Sequence, residues 1–235
     1  MVKNIAIIPA RSGSKRIKDK NIYSFNGKPL MAWTIETALN SGVFDKVMVS
    51  TDSEKYAQIA KDYGAWVPFP RNSAYDDFAT IGDVITYTLK QLKEKMGLEF
   101  DNVASMQVTC PLCTSQIVKD TYEAFLNNGS TTTITCFPFN FMNPWWAFKM
   151  DDGKADFVLS SPQKSRSQDN PQLYCPTGMV AFSKINIQTD PIVKYYPVDW
   201  KYAVDIDNYE DIDFANVVFD YLRKENGVKS GKELE

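Results

Sequence analysis

Five cations lie within ten residues of the chain. In NIAIIPARSGSKRIKDKNI, Arg11, Lys15, Arg16, Lys18 and Lys20 follow the apolar run Ile5 to Pro9. One glycine and two serines let the backbone amides of that loop turn toward an anion. Arg11 offers a bidentate fork to phosphate oxygens, while Lys15 and Lys20 are point charges able to follow a departing phosphate. This is a kit for a nucleoside triphosphate, and a solvated basic turn is the plainer alternative. Two familiar phosphate loops are absent. The GxxxxGK[ST] pattern needs two glycines and the dinucleotide GxGxxG needs three, whereas this loop has only Gly13.

A second candidate stands near the other end, in YAVDIDNYED. A strand expected around Tyr202 to Ile206 would turn Asp205 and Asp207 to one face, where they could share a hard divalent cation such as Mg²⁺. Alone, DID is most often an edge strand meeting a turn. Opposite a basic strand-end loop it becomes half of a metal and triphosphate arrangement. The CPLC stretch, Cys110 to Cys113, is weaker: the chain has no histidine and no second close cysteine pair, so packing thiols are expected there.

The elements that must position these groups alternate. Short β-rich runs are expected at Ile5 to Pro9, Lys46 to Ser50, Trp66 to Pro68, Asn102 to Val108 and Thr131 to Phe137. Between them, Met31 to Asn40, Ser53 to Tyr63, Thr80 to Met96 and Ser115 to Leu126 carry apolar residues at helical spacing. Ser53 reads as an N-cap, and Gly64 and Gly129 as helix stops. The pattern is that of an α/β fold with a mostly parallel sheet, whose ligands bind beyond the carboxyl ends of the strands.

After Phe137 the rhythm breaks. Residues 138–172 hold dense aromatics, prolines and a DDG turn, which suggests a hairpin-like insertion. Its Phe139, Phe141, Trp145, Trp146 and Phe148 are expected to pack on a second copy of the chain rather than fill a small subcore. Regular structure resumes at Leu173 to Lys184, and a last helix runs from Tyr209 to about Arg223.

Length and composition bound the answer. The 235 residues suit one domain, 1–235, with 138–172 as an insertion, and a net charge of -3 gives no reason to expect nucleic acid or membrane as partner. No apolar run approaches the roughly 20 residues of a membrane span, and with few cysteines the chain reads as cytoplasmic.

The blocks PARSGSKRIKDKNI, GKPLMAWTIETAL, FDKVMVSTDSE, QVTCPL, RSQDNPQLYCPTG and VDIDNYED, in that order, resemble the acylneuraminate (nonulosonic acid) cytidylyltransferases, the CMP-sialic acid synthetase family. The resemblance implies a Rossmann-like nucleotidyltransferase fold of GT-A type, dimerising through the insertion. It implies transfer of CMP from CTP to the anomeric hydroxyl of a nonulosonic acid, with Mg²⁺ and release of pyrophosphate. Arg11, Ser14, Lys15, Lys20 and Asn21 would hold the triphosphate, with Ala10, Ser12 and Gly13 in the same turn. Arg71 and Thr80 would complete the nucleotide site; Arg11, Lys20 and Asp207 would carry catalysis; Asp205 and Asp207 would bind the metal. Gln107, Arg166, Gln168, Tyr195 and Tyr196 would meet the sugar. Arg16 and Lys18 match nothing essential and read as solvated.

The chain departs from the family at Cys110-Pro-Leu-Cys113-Thr, which lacks an arginine on the substrate side, and at Thr177-Gly178. A drier pocket with one cation fewer suits a deoxy, diacylated legionaminic or pseudaminic acid at least as well as N-acetylneuraminic acid. The rivals are a cytidylyltransferase for Kdo, a nucleotidyltransferase for a sugar 1-phosphate, and an inactive nucleotide-binding scaffold subunit.

Overall fold

A computed structural model describes residues 2–73, 79–140, 143–159, 166 and 169–225. Among these residues ten strands run in chain order: β1 (Asn4–Pro9), β2 (Ser24–Phe25), β3 (Lys28–Pro29), β4 (Lys46–Ser50), β5 (Asn102–Ser105), β6 (Thr132–Pro138), β7 (Phe148–Asp151), β8 (Lys154–Phe157), β9 (Tyr174–Lys184) and β10 (Val193–Pro197). Five α-helices accompany them: α1 (Leu30–Ser41), α2 (Glu54–Asp62), α3 (Ile81–Met96), α4 (Ser115–Asn127) and α5 (Tyr209–Glu225).

Six strands form the central sheet in the order β10-β6-β9-β5-β1-β4. β1 pairs in parallel with both β4 and β5, and β6 with β10; β9 alone runs antiparallel, between β5 and β6. Strand order reverses at β1, since the chain moves outward to β4 and then returns to β5 on the other side. The crevice at such a reversal, between the loops after β1 and β5, is where open α/β sheets bind ligands.

Period-two alternation sorts β1 between two apolar layers. Ala6 and Ile8 join a cluster with Met31 and Ile35 of α1, Tyr56 of α2, Val118 and Phe125 of α4 and Phe219 of α5. Ile5 and Ile7 join Leu92 of α3, with Met48 and Phe100, on the opposite face. The sheet is thus sandwiched between helices, which fixes the strand ends in place. Ser53 caps α2 by accepting from the Tyr56 amide, and Thr80 forms a capping box with Asp83 at the start of α3.

Three expectations of local structure need correction. Trp66 to Pro68 makes only an isolated bridge from Trp66 to Met48, closed by the Trp66 N–H to the Val47 carbonyl and the Val49 N–H to the Trp66 carbonyl, and Pro68 has no N–H with which to extend it. β5 stops at Ser105 instead of Val108, as the chain turns into the loop that carries Gln107. No strand forms at Tyr202 to Ile206: a 3₁₀ turn spans Trp200–Tyr202 and the chain then runs to α5 without joining a ladder. The strand of this region lies earlier, at β10, where Val193 to Pro197 closes the sheet edge against β6.

Within residues 138–172, β7 and β8 form a hairpin turned by Asp152 and Gly153 at φ of 45° and 72°. Phe148 and Phe157 meet across it at 5.6 Å between ring centroids. Trp146, Phe148, Met150 and Val158 are exposed, Trp145 donates its indole N–H to the Pro171 carbonyl, and Phe139 lies edge-on to Phe137. Phe141 lies outside the described residues. Among the described residues no helix is long and apolar enough to cross a membrane.

Candidate nucleotide and metal site

The loop after β1 is braced at both ends and in the middle. Ser12 donates its backbone N–H to Asp52 Oδ1 at 2.7 Å and its hydroxyl to Oδ2 at 2.8 Å. Asn21 donates its amide to the Arg11 carbonyl at 2.8 Å, and the Tyr56 hydroxyl donates to Asp19 Oδ1 at 2.9 Å. Ile17 is fully buried beneath the loop, while Gly13, at φ 77°, makes the left-handed turn that an L side chain resists. The loop therefore presents its cations from a frame already built.

Those cations face a cavity of about 350 Å³ lined by Arg11, Ser14, Lys15, Arg16, Lys20, Asn21, Arg71, Ala79, Thr80 and Val84 among others. β1, the segment after β4 and the first turn of α3 supply its walls. Arg71 is the unusual member. It is only 3% exposed, and its Nε and Nη2 are buried with no hydrogen-bond partner. Burial pulls its pKa down, Asp52 offsets this, and the Arg11 charge adds to the fall. A buried guanidinium with unsatisfied donors beside further cations is a strong demand for an anion.

Lys20 connects this cavity to the acidic pair. Its Nζ lies 2.9 Å from Asp207 Oδ1 and donates to the Ile206 carbonyl at 2.9 Å. Arg16 Nη2 reaches the same Oδ1 at 3.0 Å while its side chain stays largely in solvent, as expected. Desolvation pushes the Asp207 carboxyl up, yet Lys20, and then Arg16, outweigh it and hold the pKa below its ordinary value. Asp205 behaves oppositely. Desolvation first, and the Asp207 charge after it, raise its pKa, against the lowering effects of Lys20 and of the Thr109 hydroxyl. That hydroxyl is buried beside the carboxyl but off the geometry of a full hydrogen bond.

Although no strand forms there, alternation survives in the extended segment. Val204 and Ile206 are buried, Ile206 N donates to the Thr109 carbonyl at 2.8 Å, and Asp205 and Asp207 turn away from the core. Asp211 Oδ2 then accepts from the backbone N–H of Asp207 and Asn208, fixing the turn into α5. Two hard carboxylates on one side, one of them raised partly by the charge of the other, have the donor chemistry that a divalent cation would need. Among the described residues no third acidic or thiol ligand joins them.

The other expected site residues divide. Ser14 and Thr80 line the cavity, with the Thr80 hydroxyl bonded to Asp83, while Ser12 is turned to Asp52 and Ala10 is buried under the loop. Gln107 stands in the adjoining loop after β5, its backbone N–H donating to the Gly178 carbonyl at 3.0 Å. A Cβ on Gly178 would lie 2.6 Å from the Gln107 side-chain amide, so only glycine lets that amide cross β9. Tyr195 and Tyr196 are on the edge strand β10, four strands from β1, or about 19 Å at ~4.8 Å per strand. Arg166 is in the insertion, paired with Asp169 at 2.8 and 3.0 Å, and Gln168 lies outside the described residues. Cys110 and Cys113 are buried and protonated, with the Cys113 thiol pushed up to about 12 by desolvation.

Residues 5–150 match the family model described as cytidylyltransferase. The chain belongs to the cytidylyltransferase family. It is 35% identical to a pseudaminic acid cytidylyltransferase of Campylobacter jejuni over 93% of this chain and 97% of that protein. It is 32% identical to an N-acylneuraminate cytidylyltransferase of Streptococcus agalactiae, over 97% of this chain and 57% of that protein. A CMP-N,N'-diacetyllegionaminic acid synthase of Legionella pneumophila shares 35% identity over 63% of this chain and 62% of that one. Among solved structures, a CMP:2-keto-3-deoxy-manno-octonic acid synthetase complexed with CTP superposes with a TM-score of 0.70 at 15% identity, covering 94% of this chain and 99% of that one. That likeness establishes the Rossmann-like nucleotidyltransferase fold, and the family membership makes the chain a nucleotidyltransferase.

Proposed function

We propose that this cytidylyltransferase transfers CMP from CTP to the anomeric hydroxyl of a nonulosonic acid, releasing pyrophosphate. The observation that carries this reading is the buried Arg71, whose unpartnered donors line one cavity with Arg11, Lys15 and Lys20. The sugar is of pseudaminic type, supported by a likeness to the Campylobacter jejuni enzyme that runs over 97% of that protein's length.

In this reading the triphosphate enters the cavity with its β- and γ-phosphates on the cations of the β1 loop and Arg71. The anomeric oxygen attacks the α-phosphorus in line, the new O–P bond forms, the α–β anhydride bond breaks, and the hydroxyl proton passes to water. Lys20, held by Asp207 and the Ile206 carbonyl, needs little reorganisation to stabilise the charge that grows on pyrophosphate. Asp205 and Asp207 would hold Mg²⁺, which supplies charge neutralisation on the phosphate oxygens. Gln107, one loop away, orients the sugar. Arg166 would face the sugar carboxylate.

The exposed aromatic and aliphatic side chains of the insertion support a homodimer, with the second copy covering Trp146, Phe148 and Met150. A CTP-consuming enzyme of this kind works in the cytoplasm. Pyrophosphate release from CTP, assayed with pseudaminic, legionaminic and N-acetylneuraminic acids, tests the activity and the sugar together. Light scattering with Phe148→Glu tests the dimer.

A further inference from the structure

Two cations share one oxygen of Asp207, and they are held differently. Lys20 has a side chain 13% exposed and a second bond to the Ile206 carbonyl, so its position does not depend on Asp207 alone. The Arg16 side chain is 64% exposed, and Asp207 is its one polar contact among the described residues. Arg16 also lines the cavity beside Lys15 and Lys20. A guanidinium on a long, loosely held stem thus has both a carboxylate and an anion-demanding cavity within reach.

Asp205 turns to the same side of the chain as Asp207, so a divalent cation between them needs the Asp207 carboxylate. Both existing contacts fall on Oδ1, and displacing Lys20 would also break its bond to Ile206. Arg16 is the partner that leaves at least expense.

We propose that Arg16 is an electrostatic placeholder: it occupies Asp207 until a divalent cation arrives, and is then released into the cavity onto the nucleotide phosphates. This rests on the reading of Asp205 and Asp207 as the cation site. The device links the two ligands, because the cation frees a phosphate-binding arginine and the phosphate draws away the cation's competitor; such coupling is reciprocal. Solvent screening of an exposed pair limits each effect to about two- to fivefold.

The test is titration of the nucleotide-free full chain with Mn²⁺ alone, followed by electron paramagnetic resonance at low ionic strength. Arg16→Ala is expected to bind Mn²⁺ about two- to fivefold more tightly than wild type, with Arg16→Lys intermediate. Lys18→Ala, on an exposed cation of the same loop, is expected to match wild type; an equal gain there would assign the effect to bulk charge and overturn the placeholder. Equal Mn²⁺ affinity of wild type and Arg16→Ala, with loss in Asp207→Asn, would overturn it while leaving the cation site standing. Binding indifferent to Asp207→Asn, or none at all, would overturn both. With Mn²⁺ saturating, Arg16→Ala is expected to bind CTP about two- to fivefold more weakly, and unchanged CTP affinity would overturn the release onto phosphate.

Discussion

Lys20 Nζ lies 2.9 Å from Asp207 Oδ1, joining the loop after the first strand to the turn that begins the last helix, 187 residues later. The contact makes one site of two sequence-distant groups, a cationic cavity and a carboxylate pair. In the free enzyme the ammonium also masks part of the charge that a metal would otherwise neutralise.

Replacing Lys20 tests the leaving-group role. Lys20→Ala is expected to lower the rate of pyrophosphate release about a thousandfold, ~3 to 4 kcal/mol for a lost charge-stabilising donor. The fall should appear in kcat more than in the KM for CTP, since the charge develops in the transition state. A normal kcat with a raised KM would make Lys20 a binding residue only.

Arg71→Met separates stability from binding. The guanidinium is buried with unsatisfied donors, so an apolar side chain of similar length should leave the unliganded Tm unchanged or raise it. CTP affinity should nevertheless fall about 10- to 100-fold, from the ~1.5 to 3 kcal/mol of hydrogen bonds to a charged group. Calorimetric titration and thermal melting check both halves on the same protein.

Asp205 gives a pH dependence of definite sign. Its folded-state pKa is raised, chiefly by desolvation, so the native state binds the proton more tightly than the unfolded chain. The resulting destabilisation is absent below the ordinary carboxylate range and grows as pH rises through the raised value. Asp205 is itself exposed, so screening keeps the effect small: Asp205→Asn should melt only slightly higher than wild type at neutral pH, converge with it in acid, and lose CTP turnover. Asp207 shows the reverse: its depressed pKa contributes stability that is present at neutral pH and lost as pH falls below the ordinary aspartate value. A Tm difference for Asp205→Asn that is constant with pH would contradict the assignment.

Gly178→Ala probes the sugar side. The added methyl would meet the Gln107 amide at 2.6 Å, and the flexible glutamine must swing away. The protein should fold with a loss of about 1 to 3 kcal/mol, since overpacking strains but seldom unfolds. The KM for the sugar should rise while that for CTP stays near wild type. A parallel rise in both would place Gln107 in the nucleotide site.

Much of this was legible in the sequence, for identifiable reasons. β1, β4, β6 and the five helices show strong apolar periodicity and cap residues, signals that local chemistry sets. β10 was missed because an edge strand with one partner needs little apolar character: Val193 and Tyr195 are exposed. The strand expected at Tyr202 to Ile206 arose from true alternation in an extended segment that finds no ladder. Asp205 and Asp207 thus share one side of an extended segment rather than of a paired strand. Arg16 is largely solvated as expected, but adjacency in a loop does not reveal that it also reaches Asp207. Asp52 lies within the family-like block FDKVMVSTDSE, but the clamp of its carboxylate on Ser12 emerges only from three-dimensional placement.

The central claim, CMP transfer from CTP to a nonulosonic acid, is tested most directly by pyrophosphate release with the purified chain, CTP, Mg²⁺ and a panel of acceptors. The account predicts turnover with CTP but not with the other nucleoside triphosphates, fastest with pseudaminic acid. Turnover with Kdo or a sugar 1-phosphate and none with any nonulosonic acid would contradict it.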